Sequence, residues 1–327
     1  MTAFVGRRFV SMVFTMVLVS IVGFIIINLP PGSYLEVYRA ELMVQGTSTA
    51  DQQIAALEQR YALDKPVYYQ YWKWIKGFVR GDFGRSFQYN REVNELVWDR
   101  LGYTVVISTV SLLFSWVVAI PIGIYSATHK YSFADNVFTF LSFIGLSIPT
   151  FLLALVLMVI SSRTFGVSVG GLFSRAYQDA PWSWARLVDF LQHLWIPVIV
   201  VGMSGTAGLV RMMRGNLLDI LNMQYVQTAR AKGLAERVVI YKHAVRNALH
   251  PLIMSLGMSL PGIISGSTVV SIVLSLPTTG PLYFNALRAQ DMFLAGSFLV
   301  FMALMLVVGN FLADIALAIV DPRIRYE

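Results

Sequence analysis

The chain contains no cysteine. Disulfide scaffolds, cysteine-ligated metals and thiol catalysis are therefore excluded. Charge is also scarce. Only 13% of the 327 residues are Asp, Glu, Lys or Arg, against about 25% in an ordinary soluble domain. No Gly-Lys pair occurs anywhere, so the glycine-rich, lysine-tipped loop that cradles nucleotide phosphates is missing. The four histidines (His129, His193, His243, His250) are too scattered to suggest a metal site. No nucleophile–base pattern stands out, and enzyme activity in this polypeptide is not expected.

Hydrophobic residues, by contrast, make up 56% of the chain, and mean hydropathy is +0.64. A span needs roughly 20 apolar residues to cross the bilayer core. Such runs fall at about 9–29, 103–127, 136–162, 193–213, 252–276 and 293–319. The sequence therefore predicts an all-α polytopic membrane protein with six transmembrane helices. The first run is too long for a signal-peptide core and ends in Pro30-Pro31-Gly32. It is expected to be retained, after a short N-terminus of residues 1–8.

Charge distribution sets the expected orientation. With both termini inside, the inner segments hold 12 basic and five acidic residues, and the outer ones 13 and 12. The inward excess of Lys and Arg is a topology signal. The net charge of +7 is thus not read as nucleic-acid binding. Residues 30–102 form a large extracytoplasmic segment with nine basic and nine acidic residues. Within it, Tyr68, Tyr69, Tyr71, Trp72 and Trp74 crowd one predicted helix. That density suits the membrane–water interface, or contact with a sugar or peptide. Thr49 to Gln52 fits a helix-capping box preceding Ile54, Leu57 and Tyr61.

Asp314 is the lone acid inside a predicted span. No second buried acid, histidine or lysine accompanies it, so a helix-bundle pairing is expected over a proton relay. Small residues at Gly202, Ser204, Gly205, Thr206, Ala207 and Gly208 permit close helix packing. Pro149 interrupts the third span. Gly257, Pro261, Gly262, Gly266 and Ser271 give the fifth a small, bendable face that could line a solute path.

The longest polar interruption in the second half, 214–251, belongs to a stretch from Arg211 to Pro251 with seven basic and two acidic residues. It reads as two short helices meeting near Lys232-Gly233. Gly233 is a natural helix stop, because positive φ costs glycine little. A second helix is expected from Ala235 to Pro251. Ala229, Ala231 and Ala235 would let another protein approach the backbone closely.

Tyr225 to Pro251 closely resembles the cytoplasmic coupling loop of membrane subunits in the oligopeptide/dipeptide/nickel class of ABC importers. The family pattern is carried here by Thr228-Ala229-Arg230-Ala231-Lys232-Gly233, then His243, Asn247 and Pro251. Arg80-Gly81-Asp82-Phe83-Gly84-Arg85-Ser86 and the ending Asp321-Pro322-Arg323-Ile324-Arg325-Tyr326 are similar to further family segments. The resemblance implies a loop, with Ala235 at its corner, that docks on a separate ATPase. It implies a second homologous permease, two ATP-binding subunits, an extracytoplasmic substrate-binding protein and a multi-pass position in the plasma (inner) membrane, among membrane lipid. No cofactor is expected on this chain; ATP and Mg would sit on the partner ATPases. Solute could be oligopeptide, oligosaccharide, opine, glutathione or nickel. Ser271 stands where the family commonly has glutamate, and Leu29-Pro30-Pro31-Gly32-Ser33 where it has L-P-G-D-P. A stand-alone channel or secondary carrier is the alternative from another class.

Overall fold

The computed structural model describes residues 2–28, 65–165, 170–256 and 268–320. Among these residues the architecture is helical, apart from one isolated antiparallel bridge between Arg85 and Glu92. The helices are α1 (Thr2–Asn28), α2 (Val67–Val79), α3 (Val93–Thr128), α4 (Phe133–Ser147), α5 (Thr150–Phe165), α6 (Trp184–Leu221), α7 (Gln224–Ala231), α8 (236–248), α9 (Thr268–Val273), α10 (Thr279–Arg288) and α11 (Met292–Val320).

Three described helices are long and apolar enough to cross a membrane: α3, α6 and the first 20 residues of α11. The α4–α5 pair makes a fourth if counted as one span, but it is bent by 101°. The sequence predicts a single third span with an interruption; the structure makes it two helices at an elbow. The cause is local. Proline disfavours helical backbone in the residue before it, and Ile148, preceding Pro149, is extended at φ −77, ψ 122. Helix α1 carries a shorter apolar stretch, Phe9–Ile25. Helices α3 and α6 overrun their expected starts, Tyr103 and His193, beginning at Val93 and Trp184. Ser183 caps α6 by accepting the Arg186 N–H at 3.2 Å.

The chain forms two compact units. The first comprises 1–102 with 279–308, and its core gathers Phe24, Trp74, Phe87, Val97, Leu282 and Leu294. The Arg80–Ser86 turn is built into that unit. Asp82 accepts the Gly84 N–H, and the fully buried Asp291 carboxylate accepts the Ser86 hydroxyl at 2.5 Å and the Gln88 N–H at 3.1 Å. The other Asp291 oxygen accepts the Leu294 N–H, closing the first turn of α11. Burial pushes the Asp291 carboxyl above its ordinary range, against the pull of these donors.

The second unit comprises 103–278 with 309–327, and α6 is its central post. Helices α4, α5, α8 and α9 all pack on α6. One core lies at the Phe190–Val200 end of α6; the other, at Met213 and Leu217, holds Val226, Ala229, Val239 and Leu252. The small residues of α6 do allow close approach. A Cβ on Gly202 would meet Phe114 at 2.8 Å, and the Ser115 hydroxyl donates to the Gly202 carbonyl at 2.7 Å. On α3, Gly123 packs equally tightly on Met213. The Thr49–Gln52 box and the 321–327 tail lie outside the described residues.

Candidate functional site: the basic corner

Helix α7 ends as the glycine stop requires. The Gly233 N–H reaches the Arg230 carbonyl at 2.9 Å, and the Leu234 N–H reaches back to Ala229 at 3.4 Å. This is a Schellman closure with Gly233 at φ +73, where a side chain would be strained. Ala235 then opens α8, its carbonyl accepting from Val238 and Val239. From Ala231 to Val238 every residue is exposed, Leu234 and Val238 included. The corner is a surface feature eight residues long.

Its underside is firmly packed. Val226, Ala229, Val239, Ala244, Val245, Ala248 and Leu252 bury against Met213 and Leu217 of α6. Residues Val239–Val245 form a π-turn inside α8. Val239 and Ala244, five residues apart, would lie about 140° apart on an α-helix; the wider i→i+5 turn brings both to the buried side. After a turn at Leu249, helical backbone resumes at 250–256 and runs through Pro251, where the sequence predicts an end. Proline removes one donor there, and regular bonding resumes with the Ile253 N–H on Leu249 at 2.9 Å.

Side chains cross-brace the corner. Arg230 forks onto Glu236, with Nη2 at 2.7 Å and Nε at 3.2 Å from Oε1. Arg230 holds the Glu236 carboxyl below its ordinary range and its own guanidinium is pushed up in return. Asn247 Nδ2 donates to the Tyr225 hydroxyl oxygen at 2.8 Å, tying α7 to α8. It also lies 3.3 Å from the His243 carbonyl. The Thr228 hydroxyl turns back onto Gln224. Lys232 is exposed and His243 half-buried.

At the base of the corner, Arg214 of α6 grips Asp135 of α4 with two bonds of 2.9 Å. Asp135 is 1% exposed. It accepts the Tyr131 N–H as well, and its own N–H is capped by Ser132. Sequence reasoning counted both residues only as inner charges. Nothing in their spacing, 79 positions apart, announces the clasp.

The expected path residues are less fully placed. Gly257, Pro261, Gly262 and Gly266 lie outside the described residues. Pro149 is exposed at the α4–α5 elbow, and Ser271 is buried in α9. The side chain of Asp314 also lies outside them. Among the described residues no cluster of three or more His, Cys, Asp or Glu could hold a metal.

The described residues include membrane-length apolar helices and an exposed corner over a packed base, and the family comparison identifies the class of protein that carries them as a membrane component of a transport system. The chain belongs to the binding-protein-dependent transport system inner membrane component family: residues 119–326 match its model, and residues 1–108 match that of the family's N-terminal region. It is thus a multi-pass inner-membrane protein of an ABC importer.

Among similar proteins, the oligopeptide transport system permease protein AppB of Bacillus subtilis is 36% identical over the full length of both chains. The oligopeptide permease OppB of Haemophilus influenzae is 30% identical, and the dipeptide permease DppB of Alkalihalophilus pseudofirmus 29%, again over both full chains.

Proposed function

We propose that this chain is one of two membrane-spanning permease subunits of an ATP-driven peptide importer, forming half of the translocation path. The observation that carries this is the corner Ala231–Val238, exposed throughout yet packed and cross-braced beneath. A protruding rigid element can take up the motion of a docked partner without absorbing it. Thr228, Ala229, Arg230, Ala231, Lys232, Gly233, Ala235, His243 and Asn247 form the coupling element, and Asn247 braces it against Tyr225. Two ATP-binding subunits carry ATP and Mg. An extracytoplasmic binding protein delivers solute.

The topology in this account has six spans, with both termini and the corner in the cytoplasm and 30–102 outside. The inward excess of basic residues supports it. Peptide is favoured as solute because the similar permeases named above are peptide and oligopeptide transporters. The elbow at Pro149 and the small-residue segment 257–271 are the proposed path-lining pieces.

The mechanism follows from rigidity. ATP-driven closure of the partner subunits moves the corner, and α7, α8 and α6 move with it because they share one core. The Asp135–Arg214 clasp passes the displacement from α6 to α4, and so to the elbow. Lys232→Glu and Gly233→Val in the reconstituted importer test the reading. Loss of uptake with weakened ATPase co-purification is expected; normal uptake and assembly in both variants would refute it.

A further inference from the structure

Helix α2 is clamped to the C-terminal end of α1. The Ser20 and Tyr71 hydroxyls lie 2.8 Å apart, and Phe24 packs on the Tyr71 and Trp74 rings with centroids 5.5 and 5.4 Å away. Trp74, Phe78, Tyr71 and Ile75 therefore turn into the unit's core. The adjoining face has no such cover. Tyr68 is 70% exposed, Trp72 67% and Val79 81%.

That open face is itself divided. At about 100° per residue, Tyr68, Trp72 and Val79 fall within about 40° of one another. Lys73, Lys76 and Arg80 fall within about 60° on the adjoining arc. From Lys65 to Gly81 there are four basic residues and no acidic one. An aromatic wedge beside a row of cations is the pattern of a helix lying in a membrane surface, rings at the headgroup–acyl boundary and bases among the headgroups. The supporting helix continues it: α1 exposes Phe9, Val10, Phe14, Val17, Ile21 and Ile25, an apolar face for lipid.

We propose that α2 lies in the outer membrane–water interface and binds anionic phospholipid, with Tyr68, Trp72 and Val79 inserted and Lys73, Lys76 and Arg80 on the headgroups. This rests on α1 being a span, as in the topology above. A soluble protein surface is the competing occupant. It is disfavoured because α1's lipid-facing side runs up to the point where α2 is attached. Each base near an anionic surface adds about 1 kcal/mol, or about five-fold, to partitioning.

The absence of native cysteine makes the test direct. Single Tyr68→Cys, Trp72→Cys and Lys76→Cys variants, with Phe14→Cys as a control in α1, are spin-labelled in the assembled importer. The other subunits are freed of reactive cysteine. The complex is reconstituted in phosphatidylcholine vesicles with or without phosphatidylglycerol, and collision rates with oxygen and with a water-soluble nickel chelate are compared. Oxygen should dominate at 68 and 72 and the chelate at 76. Phosphatidylglycerol should deepen 68 and 72, and Lys73→Gln/Lys76→Gln/Arg80→Gln should abolish that deepening. Chelate dominance at both 68 and 72 would mean an aqueous face and overturn the proposal. Low collision rates with both agents would mean cover by protein and overturn it too. Chelate dominance at 14 would instead defeat the span assignment of α1.

Discussion

Asn247 and Tyr225 lie 22 positions apart, yet the Asn247 amide donates to the Tyr225 hydroxyl oxygen at 2.8 Å. The bond joins the helices on either side of the corner. One such bond is worth about 0.5–1.5 kcal/mol, too little to decide whether the fold forms. Tyr225→Phe and Asn247→Ala should therefore assemble normally but transmit poorly. ATP hydrolysis should continue while uptake per ATP falls several-fold, measured in proteoliposomes. Uptake per ATP equal to wild type would remove this bond from the account.

Asp135 and Arg214 form the stronger tie. Removing one partner of a buried ion pair costs about 3–5 kcal/mol, because the other charge is left uncompensated; the partial exposure of Arg214, 25%, places the loss toward the lower figure. Asp135→Asn should lower the thermal stability of the detergent-purified complex clearly more than Glu236→Gln, whose ion pair is largely exposed. Exchanging the charges, Asp135→Arg with Arg214→Asp, should not restore it. Asp135 also accepts the Tyr131 N–H in the first turn of α4, where a negative charge suits the helix dipole.

Gly84 is held by both conformation and space. Its φ is +84, and a Cβ there would lie 2.8 Å from the Phe293 ring. Gly84→Ala should destabilise the first unit by about 1–3 kcal/mol, read as faster hydrogen exchange across 84–93 and the start of α11. Gly81→Ala shares the positive φ but meets nothing within 4 Å, and should cost less.

Acid should act oppositely on two carboxylates. Burial raises Asp291 above the unfolded value near 3.8. Its ionised form is the costly one, so its contribution is complete below that value and is lost as pH rises through the raised folded pKa. Glu236 is lowered from 4.5 by Arg230. Its contribution is complete above 4.5 and is lost only as pH falls through the depressed folded pKa. Between pH 7 and 5, then, the corner's ion pair should hold and the Ser86–Asp291 contact should not weaken. Protection factors at 86–90, taken relative to the intrinsic exchange rate at each pH, should rise or stay constant over that range; a fall that Asp291→Asn abolishes would contradict this.

Much of the corner was legible in sequence. Gly233 as helix stop, the small residues around it and the basic surplus are local signals with local causes. The bend was less so: Pro149 marked an interruption, but a 101° turn depends on what packs against each half. The π-turn was invisible, because a search for 3.6-residue periodicity cannot register Val239 and Ala244 as one face. The Asp135–Arg214 clasp was hidden for another reason. It is a contact between separate helices, and each residue alone looked like a topology charge. The Arg80–Ser86 segment stood out in sequence by its resemblance to the family, and its partner Asp291 lay 205 positions from Ser86.

The exposed corner is where we propose that an ATPase subunit sits. A single cysteine at Ala231, Lys232 or Val238 is the only thiol in this otherwise cysteine-free chain, so a short bifunctional cross-linker placed there reports its neighbour. In native membranes the account expects adducts between these positions and the ATP-binding subunit, with yields that change on adding ATP and vanadate. A cysteine at Tyr177, in the 170–183 loop, should give none. If all three corner positions stay unlinked in membranes that import solute at the wild-type rate, the corner is not the docking site.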